Sequence, residues 1–283
     1  MRERAYAKIN LSLDVVGIRD DGYHELKMIM VPVDFYDVLE MDIAEEMSME
    51  QNASYLPMDE KNTVIKAIKV VREAYGFKEN FRIKLVKHIP TQAGLAGGSS
   101  DGAAAIRLMR KLLKLDMPNS KMIELASKVG ADVAFCCINR PALVGGIGDI
   151  IEPFSLNCPF EILLVKPRRG VMTKKAFEMV DKLDCIHPDV LGLKNALETN
   201  DYSKVIELLG NSLEAPSFKL NGDIAKVKKK MLELGLDASL MTGSGSCVFG
   251  ISRDKEIIHK AEKYFKNNGY FVRATNILNN RYR

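Results

Sequence analysis

Pro90-Thr91-Gln92-Ala93-Gly94-Leu95-Ala96-Gly97-Gly98-Ser99-Ser100-Asp101 is the stretch from which the rest of the chain is read. Gly94, Gly97 and Gly98 can take backbone angles closed to other residues and let a bulky anion come close to the main chain. Directly after them Ala103, Ala104, Ile106, Leu108, Met109, Leu112 and Leu113 recur at helical spacing, and Ser99 and Ser100 are N-cap residue types, so a helix is predicted to start there. The N-terminus of such a helix aims N–H groups and partial positive charge at the loop, an arrangement that holds phosphate. The segment is not a Gly-x-x-x-x-Gly-Lys-Ser/Thr loop, because the chain contains no Gly-Lys dipeptide, and no stretch reads Gly-x-Gly-x-x-Gly. Taken alone it could also be a glycine-rich surface turn, and other segments have to decide.

The chain has 283 residues, enough for one large or two ordinary domains, with 47% hydrophobic and 28% charged residues. A net charge of +4 is modest for this size and leaves no nucleic-acid footprint. The densest basic runs, Lys226 with Lys228 to Lys230 and Arg107 with Arg110 and Lys111, fall on helical patterns and read as solvated faces. Five cysteines, at 136, 137, 158, 185 and 247, are odd in number and irregularly spaced, which argues against a disulfide framework and fits a reducing cytoplasm. The four histidines show no zinc-ligand spacing. No apolar run is long enough for a membrane span, and the first residues lack a signal-peptide core, so neither a membrane nor a nucleic acid is an expected partner.

Ile9, Leu11, Leu13 and Val15 alternate as in a half-buried strand, followed by the Asp21-Gly22 turn and two extended stretches, Met28 to Val33 and Val38 to Ile43. A helix from near Asn62, a strand over Phe81 to Leu85, the loop with its helix, and a further helix from about Ser120 to Val129 complete the first half. The pattern restarts near Pro153, which places a domain boundary between 152 and 153. Beyond it come a strand at Ile162 to Val165, helices at Thr173 to Leu183, Tyr202 to Leu209 and Asp223 to Leu234, and two short strands, Ala238 to Met241 and Val248 to Ile251, about a second glycine-rich turn. A helix near Lys255 to Phe265 and a strand from Tyr270 to Ala274 close the chain. Strand runs followed by helix runs indicate an α+β fold in both halves.

Lys8 and Asn10 are two polar residues on one face of an apolar strand, either a solvent-facing edge or a functional pair. Asp132 opens the apolar segment Val133-Ala134-Phe135, as a cap or as a reactive carboxylate. Tyr23 and His24, after the Asp-Gly turn, read as surface residues when taken singly. A phosphate loop, a lysine and a carboxylate together form the minimum set for phosphoryl transfer, which needs positioning and charge neutralisation more than covalent chemistry.

The segments Ala7-Lys8-Ile9-Asn10-Leu11, Asp21-Gly22-Tyr23-His24-Glu25, Pro90 to Ser100, Gly130-Ala131-Asp132 and Thr242-Gly243-Ser244-Gly245-Ser246-Cys247-Val248-Phe249-Gly250 occur in the order seen in one kinase family. By them the chain resembles the kinases of 4-diphosphocytidyl-2-C-methyl-D-erythritol, within the superfamily of galactokinase, homoserine kinase, mevalonate kinase and phosphomevalonate kinase. The resemblance runs from Ala5 to beyond Gly250. It implies an N-terminal domain like ribosomal protein S5 domain 2 (1–152), a ferredoxin-like C-terminal domain (153–283), and a site between them. The implied reaction is transfer of the ATP γ-phosphate to the 2-hydroxyl of a cytidine-diphosphate sugar alcohol, in the non-mevalonate route to isoprenoid precursors.

By the same resemblance Asp132 is the base or hydroxyl-orienting group, Lys8 its electrostatic partner, and Pro90 to Ser100 the ATP loop. Tyr23 and Phe177 match aromatics that sandwich the cytosine, and His24 reads its hydrogen-bonding edge. Asn10, Thr173, Gly243 and Ser244 fall to the substrate, and Asn62 and Lys87 to the adenine pocket. ATP and Mg2+ are implied, with Ser99, Ser100 and Asp132 as candidate ligands of the metal, in a cytoplasmic monomer or homodimer. The chain departs from the family pattern at Asn139-Arg140-Pro141, where a Gly-Gly pair is common, at Gln92 and Gly102 in the loop and its helix, and at Lys174. Another kinase of the superfamily, mevalonate- or homoserine-like, and a non-catalytic nucleotide-binding regulator are the other readings.

Overall fold

The structure, a computed structural model, describes residues 1–53 and 56–278. The first part of the chain forms β1 (Arg2–Ile18), β2 (His24–Ala44), β3 (Ser48–Gln51), α1 (Thr63–Tyr75), β4 (Asn80–Val86), α2 (Gly97–Leu112), α3 (Asn119–Val129), α4 (Ala131–Ile138), β5 (Ala142–Gly145) and β6 (Ile150–Pro153). There follow β7 (Glu161–Lys166), α5 (Thr173–Val180), α6 (Val190–Thr199), α7 (Tyr202–Leu208), β8 (Gly210–Asn211), α8 (Glu214–Leu220), α9 (Asp223–Glu233), β9 (Ala238–Met241), β10 (Val248–Ser252), α10 (Lys255–Asn267) and β11 (Phe271–Asn276). The expected elements are present, with one merger: the two extended stretches after the Asp-Gly turn are a single strand, β2. The short β3, β5, β6 and β8 and the helices α4, α6 and α8 carry too little periodicity to stand out in the sequence.

One sheet runs β3-β4-β2-β1-β8, with β5 and β6 joined to β2, and the other runs β11-β7-β10-β9. Numbered within the second sheet the order is 4-1-3-2, all antiparallel, with helices between its first and second and its third and fourth strands. This is the β-α-β-β-α-β ferredoxin-like plan, elaborated between β7 and β9. The fold is α+β. The two-residue strand β8 leaves the second half of the chain to pair in parallel with β1 at Ser12 and Leu13.

Bulges in β1 decide where Lys8 and Asn10 point. The β1–β2 register slips between Tyr6 and Lys8 and again between Asn10 and Ser12, and each bulge reverses which face the odd residues occupy. Ala7, Ile9 and Leu11 therefore pack with Ile162, Leu164, Phe249 and Ile251 of the second sheet. Ala5, Leu13 and Val15 pack instead in the core that holds Ala103, Ala104, Ile106 and Phe135 of the first half's helices. The even alternation expected from Ile9 to Val15 is thus broken at Asn10–Ser12. Lys8 and Asn10 are no solvent-facing edge: they are 4% and 1% exposed, on the helix side of a sheet buried on both faces.

Candidate active site

A cavity of about 960 Å³ runs between the two glycine-rich loops and the β1–β2 hairpin. Its wall is built from four sources, each with a local reason for its placement.

The first is the N-terminus of α2. The expected serine cap is not formed. Ala96, in the left-handed region at φ 56° and ψ 31°, is the N-cap, and Ser99 and Ser100 lie inside the first turn. Ser100 N–H already donates to the Ala96 carbonyl (2.9 Å), and its hydroxyl donates to Gly97 O (2.9 Å). The N–H groups of Gly97, Gly98 and Ser99 precede the first intrahelical donor, Ser100 N–H, as the first N–H groups do in every α-helix, and these three residues line the cavity. A missing side-chain cap is what leaves those donors to a ligand. Gly102, one turn on, costs the helix propensity but fits a close approach: a Cβ there would sit 2.8 Å from Thr63 Cγ2 of α1.

The second source locks the loop. Gly94, at φ 73°, lies against the second glycine-rich turn, where any Cβ would collide with the Thr242 carbonyl. Cys247 N–H donates to Ala93 O (3.1 Å) and Ser246 N–H to Gln92 O (3.2 Å). Thr242 Oγ1 accepts from Asn10 N–H (3.0 Å) and donates to Gly94 O (3.3 Å). Lys8 N–H donates to Leu95 O (3.2 Å), opposite Pro32 in the β1–β2 register. The bulges that turn Lys8 and Asn10 inward thus also release backbone donors of β1 to hold both loops.

The third is a lysine–carboxylate pair. Lys8 Nζ donates to Asn10 Oδ1 (2.7 Å) and lies 3.6 Å from Asp132 Oδ2. Asn10 Nδ2 reaches Met28 Sδ at 3.3 Å, so the amide is oriented with its oxygen toward the ammonium. Asp132 does not cap α4. Gly130 holds that position, and Asp132 sits in the first helical turn, where a carboxylate is favoured, with its side chain 34% exposed to the cavity. Its negative charge adds to burial in pushing up the thiol of Cys136 one turn behind it, which is held neutral. A buried cation fixed by an amide, beside an open carboxylate and uncapped helix N–H groups, can neutralise a phosphoryl group and align a hydroxyl.

The fourth is the far end, made of side chains from the β1–β2 hairpin and α5. Tyr23 is 63% exposed at the hairpin. The His24 ring stands 5.0 Å from that of Phe177, tilted by 39°, and its Nε2 is 2.8 Å from Asp181 Oδ1. Thr173, Phe177 and Asp181 are spaced by four along α5 and its C-cap, so they share one helix face. Thr173 Oγ1 is 2.8 Å from Ser244 Oγ, which ties α5 to the second glycine turn.

Of the residues singled out in the sequence, the cavity gathers Lys8, Asn10, Tyr23, His24, Lys87, Pro90 to Ser99, Asp132, Thr173, Phe177, Gly243 and Ser244. Ser100 and Asn62 are not in its wall. The Asn62 side chain caps α1 at Val64 N–H (2.9 Å) and donates to Pro57 O (2.8 Å), and its neighbour Thr63 faces the cavity instead. Lys87 is bound between Asp37 and Asp101, the latter at 2.6 Å. Burial opposes its charge, but the two carboxylates outweigh that and raise its pKa. One ammonium cannot offset two carboxylates. Burial, with Asp37 adding and Lys87 opposing, pushes Asp101 up to about 8. The sequence reading gave no role to Asp37, Asp101, Thr242 or Asp181: Asp101 and Thr242 stand at the edges of the two glycine-rich motifs, and Asp181 had a signal in its spacing from Thr173 and Phe177.

At the departures from the family pattern, Asn139 takes the left-handed conformation (φ 49°, ψ 47°) that a glycine would supply, which asparagine tolerates better than most residues. Gln92 also stands at positive φ (51°), its carbonyl engaged by Ser246.

Comparison with known proteins gives a consistent picture. Residues 62–140 match the GHMP kinases N terminal domain and residues 193–270 the GHMP kinases C terminal domain. The 4-diphosphocytidyl-2-C-methyl-D-erythritol kinase of Clostridium novyi is 40% identical over 276 residues, 96% of this chain and 99% of that protein. A crystal structure of 4-(cytidine 5'-diphospho)-2C-methyl-D-erythritol kinase superposes with a TM-score of 0.83 at 30% identity, over 98% of this chain and 99% of that one. A homoserine kinase from Cytophaga hutchinsonii shares the fold, with a TM-score of 0.78 at 21% identity over 96% and 94%.

Proposed function

The chain belongs to the GHMP kinases and, within them, to the family of 4-diphosphocytidyl-2-C-methyl-D-erythritol kinases, and from that premise we propose how its cavity performs the reaction. It is a phosphotransferase with an alcohol acceptor. In this reading ATP lies along Pro90 to Ser99 and the acceptor is the 2-hydroxyl of the diphosphocytidyl sugar alcohol, in isoprenoid precursor synthesis. The observation that carries the reading is that one cavity joins the Lys8–Asp132 pair and the open end of α2 to an aromatic end formed by Tyr23, His24 and Phe177. A mevalonate or homoserine pocket has no use for that aromatic end.

The N–H groups of Gly97, Gly98 and Ser99 and the dipole of α2 take the donor phosphates. Asp132 accepts a hydrogen bond from the 2-hydroxyl and takes its proton as the new oxygen–phosphorus bond forms and the bond to the ADP oxygen breaks. Lys8, fixed by Asn10, offsets charge on the moving phosphoryl group. Asn10, Thr173, Gly243 and Ser244 border the acceptor. Thr63 and Lys87 stand at the adenine end, with Asn62 acting there through the start of α1.

Among the described residues no three carboxylate, histidine or cysteine side chains cluster as a dedicated metal cage. Mg2+ in such enzymes is held by one or two protein oxygens plus substrate phosphates, and the Asp132 carboxylate and Ser99 hydroxyl, both in the cavity wall, are donors of that kind. When bound, the ion neutralises phosphate charge. The two sheets support a two-domain reading, although a boundary at 152/153 would fall within β6 (Ile150–Pro153), whose Pro153 still pairs with Ala142 in the first sheet. Among the described residues no helix is long and apolar enough to cross a membrane.

The test is ATP consumption by purified protein with a panel of alcohols. Turnover is expected with 4-diphosphocytidyl-2-C-methyl-D-erythritol, and turnover with mevalonate or homoserine in its place would overturn the reading. Tight nucleotide binding without transfer to any alcohol would indicate a regulator instead.

A further inference from the structure

His24 is held from one side only. Its Nε2 faces the Asp181 carboxylate at 2.8 Å, and its ring rests against Phe177. Among the described residues Nδ1 makes no hydrogen bond, while the residue lines the cavity. A carboxylate is an acceptor only, so the nitrogen facing it must carry the proton, and in a neutral imidazole the other nitrogen is then an acceptor. Asp181 and Phe177 come from the same face of α5, so one helix both stacks on the imidazole and fixes its tautomer. Among the described residues Tyr23, next along the chain, makes no side-chain hydrogen bond to His24 that would impose the opposite tautomer.

We infer that Asp181 is a specificity-positioning residue: by holding the proton on Nε2 of His24 it leaves Nδ1 as a hydrogen-bond acceptor, which selects a pyrimidine with an exocyclic amine over one with a carbonyl at that position. The inference rests on the assignment of the aromatic end to a pyrimidine base. In one pose a 4-amino group donates to Nδ1, whereas a 4-oxo group meets it lone pair to lone pair. Asp181 touches no substrate and acts through His24. The neighbouring charged side chains of α5, Lys174 and Glu178, line the cavity but make no hydrogen bond to His24.

Binding of CMP and of UMP, measured by calorimetry at pH 8, where an ordinary imidazole is neutral, tests this. The wild-type protein is expected to prefer CMP by about tenfold or more, the cost of one mismatched buried hydrogen bond. In Asp181→Asn the amide can donate to Nε2 and move the ring proton to Nδ1, so the preference should fall to about threefold or less, or invert toward UMP. Asp181→Glu should restore part of it. A structural role alone would weaken both nucleotides equally and leave their ratio unchanged, which would overturn the inference. The 15N spectrum of the free protein, assigned with His24→Gln, supplies a readout independent of binding: an Nδ1-protonated His24 in the wild type would also overturn it. If the wild type binds neither nucleotide, it is the pyrimidine assignment that fails.

Discussion

The two ends of the cavity are built in different ways. Around Lys8 and Asp132 the wall is backbone: uncapped N–H groups of α2, a loop wedged against Thr242, and side chains fixed by bulges and a buried amide. Around Tyr23 and His24 it is side chain: an exposed ring at a hairpin, an imidazole held by one carboxylate, and a short helix without a side-chain cap. Transfer of a phosphoryl group between fixed oxygens rewards rigidity at the reacting atoms. Recognition of a base can rely on planar side chains that close around it. Substitutions should therefore act on turnover at the first end and on affinity at the second.

The largest effect is expected from Asp132→Asn, which keeps shape and removes the proton acceptor. Turnover should fall by about two to four orders of magnitude while nucleotide binding persists, as single-turnover kinetics and titration would show. Near-normal turnover would remove Asp132 from that role. Phe177→Ala tests the other end. Loss of one stacking face should raise the KM of the cytidyl substrate by about two- to tenfold with kcat little changed, a split that steady-state kinetics resolves. A fall in kcat alone would erase the contrast between the ends.

The smallest effect is thermodynamic and lies behind the glycine-rich loop. Asp101 holds its proton to about 8, against about 3.8 for an ordinary aspartate, so the folded chain binds one more proton than the unfolded chain between those values. Stability then falls as pH rises through that window and levels off above pH 8. Asp101→Asn should flatten this part of the pH dependence of Tm between pH 5 and 8, and a slope unchanged from the wild type would show that the cluster titrates elsewhere.

The same contrast explains what could be read from the sequence. Backbone devices leave glycines, and glycines mark the line of the chain: the loop at 90–101 and the turn at 242–246 both announce themselves, as does the α+β order of elements. Lys8 and Asn10 were visible as polar residues in an apolar strand. Their burial was not, because a bulge leaves no residue pattern of its own and alternation alone assigns the wrong face from Ser12 onward. The serine cap was misread because a left-handed Ala96 takes a place that residue preferences give to serine. Tyr23, His24 and Phe177 gained meaning only from the family, since isolated side chains carry no period. Asp37 and Asp101 lie 64 positions apart and meet only at Lys87.

Thr242 links three segments that are remote in the chain, through Asn10 N–H, Gly94 O and the turn it begins. The glycine-rich loop of the first half is thus completed by a hydroxyl from the second, and the two halves are not interchangeable parts. A chimera joined at 152/153 would inherit a working loop only if both parents place a small hydroxyl residue opposite the same glycine. Fragment 1–152 expressed alone would carry every residue of the loop and lack what holds its shape. In such a protein the unit of inheritance for the glycine-rich loop is a pair of motifs about 150 residues apart, and recombination between relatives is constrained by their fit rather than by the cavity residues themselves.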